Sequence, residues 1–360
     1  KRLTIVLVSL FLILSGCALR PGRKLPSPTL SHTHYTQGMQ KLEVGNLDGA
    51  LVEFKKAQSL DKDFAAPYVG MSLVALEREE CESAFQHIRE AKRKDSRCID
   101  AYIAEGRILN KCRNRPDWLV QALNNYEMAL ELAPENDAAH FYQGESYKSV
   151  YQFSKAAKAY KRVAERRGHF FDRASYELET VQKILNAAPQ TKIAMQVGVK
   201  RRITRADLAA LLSAELRVEQ KVQIDNNWFK PNSNNILDIT RHSAENWIRA
   251  VIGLGLVGLE SFPDGTFKPD LPVTRGNFAL VVQSMLHLFS NDTQLTTKYF
   301  GESSRFPDIK SDDYIYNAIA LCVDKGFIQA NADGSFGPAE YISGVDALLG
   351  IGKLRDILWH

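Results

Sequence analysis

Two Thr-Arg pairs, Thr204-Arg205 and Thr274-Arg275, stand apart from the other charged residues of this 360-residue chain because of what surrounds them. From 262 to 278 the chain reads FPDGTFKPDLPVTRGNF. Asp264-Gly265 is a tight-turn dipeptide, since glycine takes positive φ without steric cost. Pro263, Pro269 and Pro272 hold their neighbours extended and keep a helix from starting before 272. Thr274 is then placed as an N-cap, its hydroxyl able to accept from an unpaired amide of the helix that follows. Arg275 falls in the first turn of that helix, where a cation gains nothing from the macrodipole. Its guanidinium is therefore there for something it binds. No motif in the chain points to catalysis. There is no Gly-rich phosphate loop, no H-E-x-x-H, no G-x-S-x-G and no pair of carboxylates distinct from ordinary helix-surface charge. The eight His are scattered, and 264–270 lacks the alternating oxygen ligands and terminal Glu of a calcium loop. The chain reads as non-enzymatic, with no cofactor and no metal.

These residues recur in an order that resembles the S-layer homology family, whose modules read F-x-D, a Trp-containing helix, G-(I/L)-(I/V)-x-G, DGxFxP and (I/V)TRAE. Leu237-Asp238-Ile239, Trp247, Gly255-Leu256-Val257-Gly258, Asp264-Gly265-Thr266-Phe267-Lys268-Pro269 and Val273-Thr274-Arg275 supply all five parts. A second copy runs through Phe306-Pro307-Asp308-Ile309, Ala318-Ile319, Gly326-Phe327-Ile328 and Asp333-Gly334-Ser335-Phe336-Gly337-Pro338. The spacing agrees: Asp238 to Gly265 is 27 residues and Asp308 to Gly334 is 26. A third unit is marked by Ile203-Thr204-Arg205-Ala206-Asp207, which carries the Thr-Arg motif with no DGxF before it. In the last module Ile342-Ser343-Gly344 stands where the family has I-T-R, so no cation occupies that place. The resemblance implies a helical domain of two to three pseudo-repeats that binds peptidoglycan or an acidic wall polysaccharide. It makes Arg205 and Arg275 the residues that grip a ligand carboxylate, as a guanidinium fork does well. Trp247 is a weaker wall-ligand candidate, because its helical spacing from Ile248 and Val251 also suits a core residue. Asp238 and Asp308 read as helix caps.

The first half repeats. Ala50, Ala84, Ala122 and Ala156 are spaced by 34, 38 and 34 residues. Four residues after each comes Phe54, Ile88, Tyr126 or Tyr160, while Gly38 and Gly144 lie twelve before the first and last. This resembles the tetratricopeptide repeat (TPR), a 34-residue helix-turn-helix. Four repeats are expected, near 31–64, 65–98, 99–136 and 137–170, with about four extra residues around 111–117. An amphipathic segment at 173–187 is expected to cap the solenoid. Helical spacing projects Tyr35, Met39, Val69, Leu73, Ile103, Arg107, Phe141 and Glu145 onto the concave side. They form a groove for a protein partner, unless the apolar ones pack between helices. Cys81 and Cys112 fall near equivalent turns of adjacent repeats, which predicts a disulfide; free buried thiols are the alternative.

The chain begins Lys1-Arg2, runs apolar from 3 to 14, and reads Leu14-Ser15-Gly16-Cys17. That is similar to the signal peptide and lipobox of bacterial lipoproteins, in which the cysteine carries the lipid. Ala18 in place of Asp fits an outer membrane and the periplasmic side. The expected organisation is a signal peptide at 1–17, a Pro-rich tether at 18–33, a TPR solenoid at 34–188, a basic linker at 189–202 and an S-layer homology domain at 203–357. Its modules lie near 192–220, 236–290 and 304–357. With 46 basic and 42 acidic residues the chain is no general polyanion binder, and nucleic acid is not an expected partner. The basic residues between 155 and 202 read as a solvated helix face and linker. Two functions fit: an envelope lipoprotein joining a wall polymer to a protein partner, or a scaffold for a secretion, pilus or polysaccharide-export machine in which the C-terminal modules are only structural.

Overall fold

The computed structural model describes residues 30–218, 236–290 and 292–359; the expected signal peptide, the lipidated Cys17 and residues 18–29 of the tether lie outside them. The described residues form fifteen α-helices and no strands. Two compact units divide after Ser175.

The first unit is built from antiparallel helix pairs: α1 (Leu30–Glu43) with α2 (Leu47–Leu60), α3 (Ala66–Glu77) with α4 (Cys81–Lys94), α5 (Ile99–Cys112) with α6 (Trp118–Leu132), and α7 (Asp137–Ser149) with α8 (Phe153–Ala164). The expected tether thus ends earlier, since α1 already begins at Leu30. Small residues let three of the four pairs close on an aromatic ring. A Cβ at Gly38 would lie 2.5 Å from the Phe54 ring, and one at Gly106 or Gly144 would press equally on Tyr126 or Tyr160. The second pair carries Ile88 at the aromatic position and Ser72 at the glycine position, both buried. Three of the intra-pair turns have three residues, whereas α5 and α6 are joined by 113–117. The extra length is two residues in the turn and one on each flanking helix. Arg113 ends α5 in the left-handed region at φ 45°, and its guanidinium lies 4.6 Å from the Trp118 ring centre. Cys81, at the start of α4, and Cys112, at the end of α5, are disulfide-bonded with Cα atoms 6.1 Å apart.

Helix α9 (Phe171–Ala187) runs through the division. Its Ala174 is buried in the first unit, and Val181, Ile184 and Ala187 are buried in the second. The expected linker is structured: α10 (Lys192–Gly198) is capped by the Thr191 hydroxyl and buries Ala194 and Val197. The rest of the second unit is α11 (Arg205–Leu216), α12 (Glu245–Gly253), α13 (Arg275–Ser290), α14 (Tyr316–Asp324) and α15 (Gly344–Trp359), with a 3₁₀ turn at Thr293–Thr296. Glu215, at the end of α11, ties three parts of this unit together. Its buried carboxylate accepts from the Gln190 and Thr191 amides, the Thr191 hydroxyl and the Arg355 guanidinium. Arg355 also donates to the Ala187 carbonyl, which holds α15 against the end of α9.

Candidate ligand-binding site

Three modules close on one another in the second unit: A (192–218), B (236–290) and C (292–359). In B and C the F-x-D aspartate does not cap a helix. The Asp238 carboxylate accepts from the Phe267 and Lys268 amides, both at 2.7 Å. Asp308 does the same for Phe336 (2.9 Å) and Gly337 (2.7 Å). Each DGxF turn is further closed from within, with Asp264 accepting from the Thr266 amide and hydroxyl and Asp333 from those of Ser335. Gly265 and Gly334 adopt φ of 77° and 84°, which only glycine takes readily. These turns push Phe267 and Phe336 into the core, where both are fully buried.

The residue before each helix N-cap then links the modules in a ring. Val273 donates its amide to the Ile203 carbonyl (2.9 Å), Ile342 to Val273 (3.0 Å), and Ile203 to Ile342 (3.3 Å). Three equivalent residues thus close a pseudo-threefold axis, and their side chains are buried. Beyond the ring each N-cap uses a hydroxyl: Thr204 in a capping box with Asp207, Thr274 accepting from the Asn277 amide, and Ser343 from the Asp346 amide.

The helix starts insert into the loops of the next module. Arg205 and Ala206 donate their amides to the Leu271 and Pro269 carbonyls of module B. The Arg205 guanidinium continues inward, with Nε on the Phe267 carbonyl (2.7 Å), Nη1 on Gly258 (3.3 Å) and Nη2 on Glu260 (2.5 Å). It lies 4.5 Å from the Phe267 ring centre and 5.0 Å from that of Phe262. Only 4 % of Arg205 is exposed. Burial pushes its guanidinium below the ordinary value, with the carboxylates of Glu260 and Asp238 acting against that shift. All three of its nitrogens are engaged by backbone, so the residue expected to meet a ligand carboxylate clasps module A to module B. Arg275 repeats the geometry on module C more openly. Its amide and that of Gly276 meet the Glu340 and Pro338 carbonyls. Nε donates to Phe336 (2.8 Å) and Nη2 to Gln329 (2.7 Å), over the Phe336 ring at 4.7 Å. The side chain is half-buried. Trp247 is half-buried on α12, whose Ile248 and Val251 enter the core.

At the third junction Gly344 takes the arginine's place, and the structure gives the reason. Its amide donates to the Lys200 carbonyl of module A (2.8 Å). A Cβ there would sit 1.8 Å from the Val197 carbonyl oxygen, at the end of α10. Module A has α10 where B and C have a DGxF turn, so no loop carbonyls wait for a guanidinium and no room exists for one.

In the solenoid the expected groove residues divide by depth. Val69, Leu73, Ile103 and Phe141 are buried. They are packed between helices, as the helical register allows, and do not line an open surface. Tyr35 and Met39 are half-buried against the same core, the Tyr35 ring edge-on to Phe64 at 5.6 Å. Arg107 remains half-exposed, stacked 4.5 Å over the Tyr142 ring. Glu145 pairs with Lys148 at 2.9 Å and accepts from the Tyr160 hydroxyl. Among the described residues no group of three or more His, Cys, Asp or Glu could hold a metal ion, and no helix is long and apolar enough to cross a membrane.

The S-layer homology domain model matches residues 236–279 and 305–347. No curated protein matches the chain. Among solved structures, a thermophilic TPR protein of Thermus thermophilus is similar at 16 % identity, over 54 % of this chain and 95 % of that one, with a TM-score of 0.39. In this chain an array of antiparallel helix pairs is followed by two segments, 236–279 and 305–347, that match the S-layer homology domain.

Proposed function

We propose that this is a non-enzymatic protein of the bacterial cell envelope that binds a wall polymer, peptidoglycan or an acidic wall polysaccharide, through its second unit and recruits a protein partner through its solenoid. The match of modules B and C to the S-layer homology domain carries the reading. Arg275 is the ligand residue best placed, because its side chain is half-exposed and its Nη1 donates to nothing among the described residues. That nitrogen can offer a carboxylate a charge-assisted bond. Arg205 supports such a groove by holding its wall, and Trp247 adds an aromatic flank. In the solenoid Arg107 and Glu145 make polar contacts to the partner, and Tyr35 and Met39 of α1 make apolar ones. A palmitoylated Cys17 anchors the protein in a membrane, here assigned to the outer membrane facing the periplasm on the pattern Leu14-Ser15-Gly16-Cys17-Ala18.

Sedimentation of the full chain with purified sacculi tests the wall reading. Binding is expected, and Arg275→Gln is expected to weaken it while circular dichroism stays unchanged. The second reading is a scaffold for a secretion, pilus or polysaccharide-export machine, with structural modules only. The full engagement of Arg205 favours it, and failure of the wild-type chain to sediment would establish it over the first.

A further inference from the structure

The first turn of a helix draws acids, because the macrodipole favours them there. In the first unit three such acids are also paired: Asp48 of α2 with Arg78, Glu82 of α4 with Arg89 at 3.3 Å, and Asp137 of α7 with Arg166 at 3.4 Å. Asp100, in the first turn of α5, is different. The residue is half-buried, and its carboxylate accepts no hydrogen bond and meets no cation among the described residues. Burial raises its carboxyl above the ordinary value, and no neighbouring charge offsets that shift. The group that feels the Asp100 charge is the Tyr35 hydroxyl of α1. Burial raises this hydroxyl well above its ordinary value, and the carboxylate adds to the rise. The hydroxyl likewise has no hydrogen-bond partner among the described residues. Flat faces stand beside it: the half-buried Phe64 ring meets the Tyr35 ring edge-on at 5.6 Å and stacks on the His32 ring at 4.3 Å.

An acid and a phenol that are partly desolvated and unsatisfied cost stability as they stand. One guest cancels both deficits. A guanidinium gives the carboxylate two charge-assisted bonds, keeps an N–H for the phenol oxygen and lays its plane on an aromatic face. We infer that Asp100, Tyr35 and Phe64 form a pocket for an arginine side chain carried by an extended segment of the protein partner. This rests on the reading of the solenoid as a partner groove and names what that groove selects. Arg107 lies two turns further along α5, about 10 Å away. Three or four extended residues therefore reach from the pocket to the polar contacts assigned there.

The test is an array of synthetic twelve-residue peptides of varied sequence, probed with the full chain. Each arginine-containing peptide stands beside a copy with citrulline, its neutral isostere, and binders are titrated in solution by calorimetry. Arginine peptides should bind at least ~tenfold more tightly than their citrulline copies. Asp100→Asn should bring the two within ~twofold, and Tyr35→Phe should cut the preference ~two- to threefold. Glu131→Gln removes an exposed carboxylate of α6 and should leave the preference unchanged, which separates the pocket from net charge. Each substitution nearly preserves shape, so the variants are expected to fold, which circular dichroism checks. Equal binding of arginine and citrulline peptides, a preference that survives Asp100→Asn, or an equal loss with Glu131→Gln would overturn the pocket and leave the partner groove standing. Absence of any peptide that binds would overturn the groove reading, and the pocket with it.

Discussion

Two junctions of the second unit are closed by arginine and one by glycine, and the same ring of hydrogen bonds passes through all three. At the first two, a long cation reaches over an aromatic ring to carbonyls more than fifty residues away. At the third, the helix start meets the backbone of α10 directly. In sequence the chain shows two separate departures from the S-layer homology pattern, a first module without DGxF and a last module without arginine. The structure places both on one surface, because the helix of C docks onto A. An arginine without carbonyls to receive it would be a buried cation without a partner, which costs several kcal/mol. The loss of the loop and the loss of the side chain are therefore one change.

That comparison breaks most severely at Gly344. Even the single methyl of Gly344→Ala would press on the Val197 carbonyl, so α15 must shift away from α10 and strain the ring. The substitution should destabilise the second unit by more than ~3 kcal/mol, read as the change in its urea midpoint. A loss below ~1 kcal/mol would mean that the junction yields easily and that the fit is not tight. Next comes Arg205→Ala, which leaves the Phe267, Gly258 and Glu260 carbonyls without their donor and opens a gap against two rings. A loss of about 3 kcal/mol is expected. Arg205→Lys should recover less than half of it, since one ammonium cannot span three carbonyls in a plane.

The turns, caps and repeats were legible in the sequence because their chemistry is local. Asp264-Gly265, Thr274 and the Gly38 to Phe54 packing each depend on residues close in the chain or on a fixed helical spacing. The roles of Asp238, Asp308, Arg205 and Gly344 were not, because their partners lie far along the chain. A carboxylate ahead of a helix looks like a cap until the amides of a turn 29 residues later are seen to approach it. A cation in a first helical turn likewise looks free until its carbonyls are found. The depth of the groove positions was hidden for another reason. Helical periodicity gives the side of a helix but not the depth of burial there, and Val69 and Phe141 are covered. Local pattern also reads 189–202 as a linker, because α10 has only seven residues and basic residues follow it at 200–202.

Arg275 sharpens the comparison from the mild side. It makes two carbonyl bonds instead of three and is half-exposed, so water can replace much of what Arg275→Ala removes. The expected loss is about 1–1.5 kcal/mol, clearly below that of Arg205→Ala. Equal losses at the two positions would show that burial does not distinguish the clasps, and would weaken the case for a donor of Arg275 held in reserve for a ligand.

Acid should separate the junctions by a smaller margin. Burial raises the Asp308 carboxyl, but the amides of Phe336 and Gly337 outweigh it and hold the group below its ordinary value. The Ser335 hydroxyl and amide do the same for Asp333. A lowered carboxyl stabilises the fold fully above its unfolded value, near pH 4, and that contribution disappears as pH falls through the folded value. The loop that receives Arg275 should therefore loosen below about pH 4, whereas the Gly344 amide rests on the Lys200 carbonyl with no turn aspartate behind it. Amide exchange, corrected for intrinsic rates, should show Phe336 and Gly337 losing protection between about pH 5 and 3 while Gly344 keeps its own. Asp308→Asn should remove most of that pH dependence, because the neutral amide no longer titrates. Parallel loss at Gly344 would instead mean that the ring opens as one cooperative piece, with its three junctions unable to respond separately.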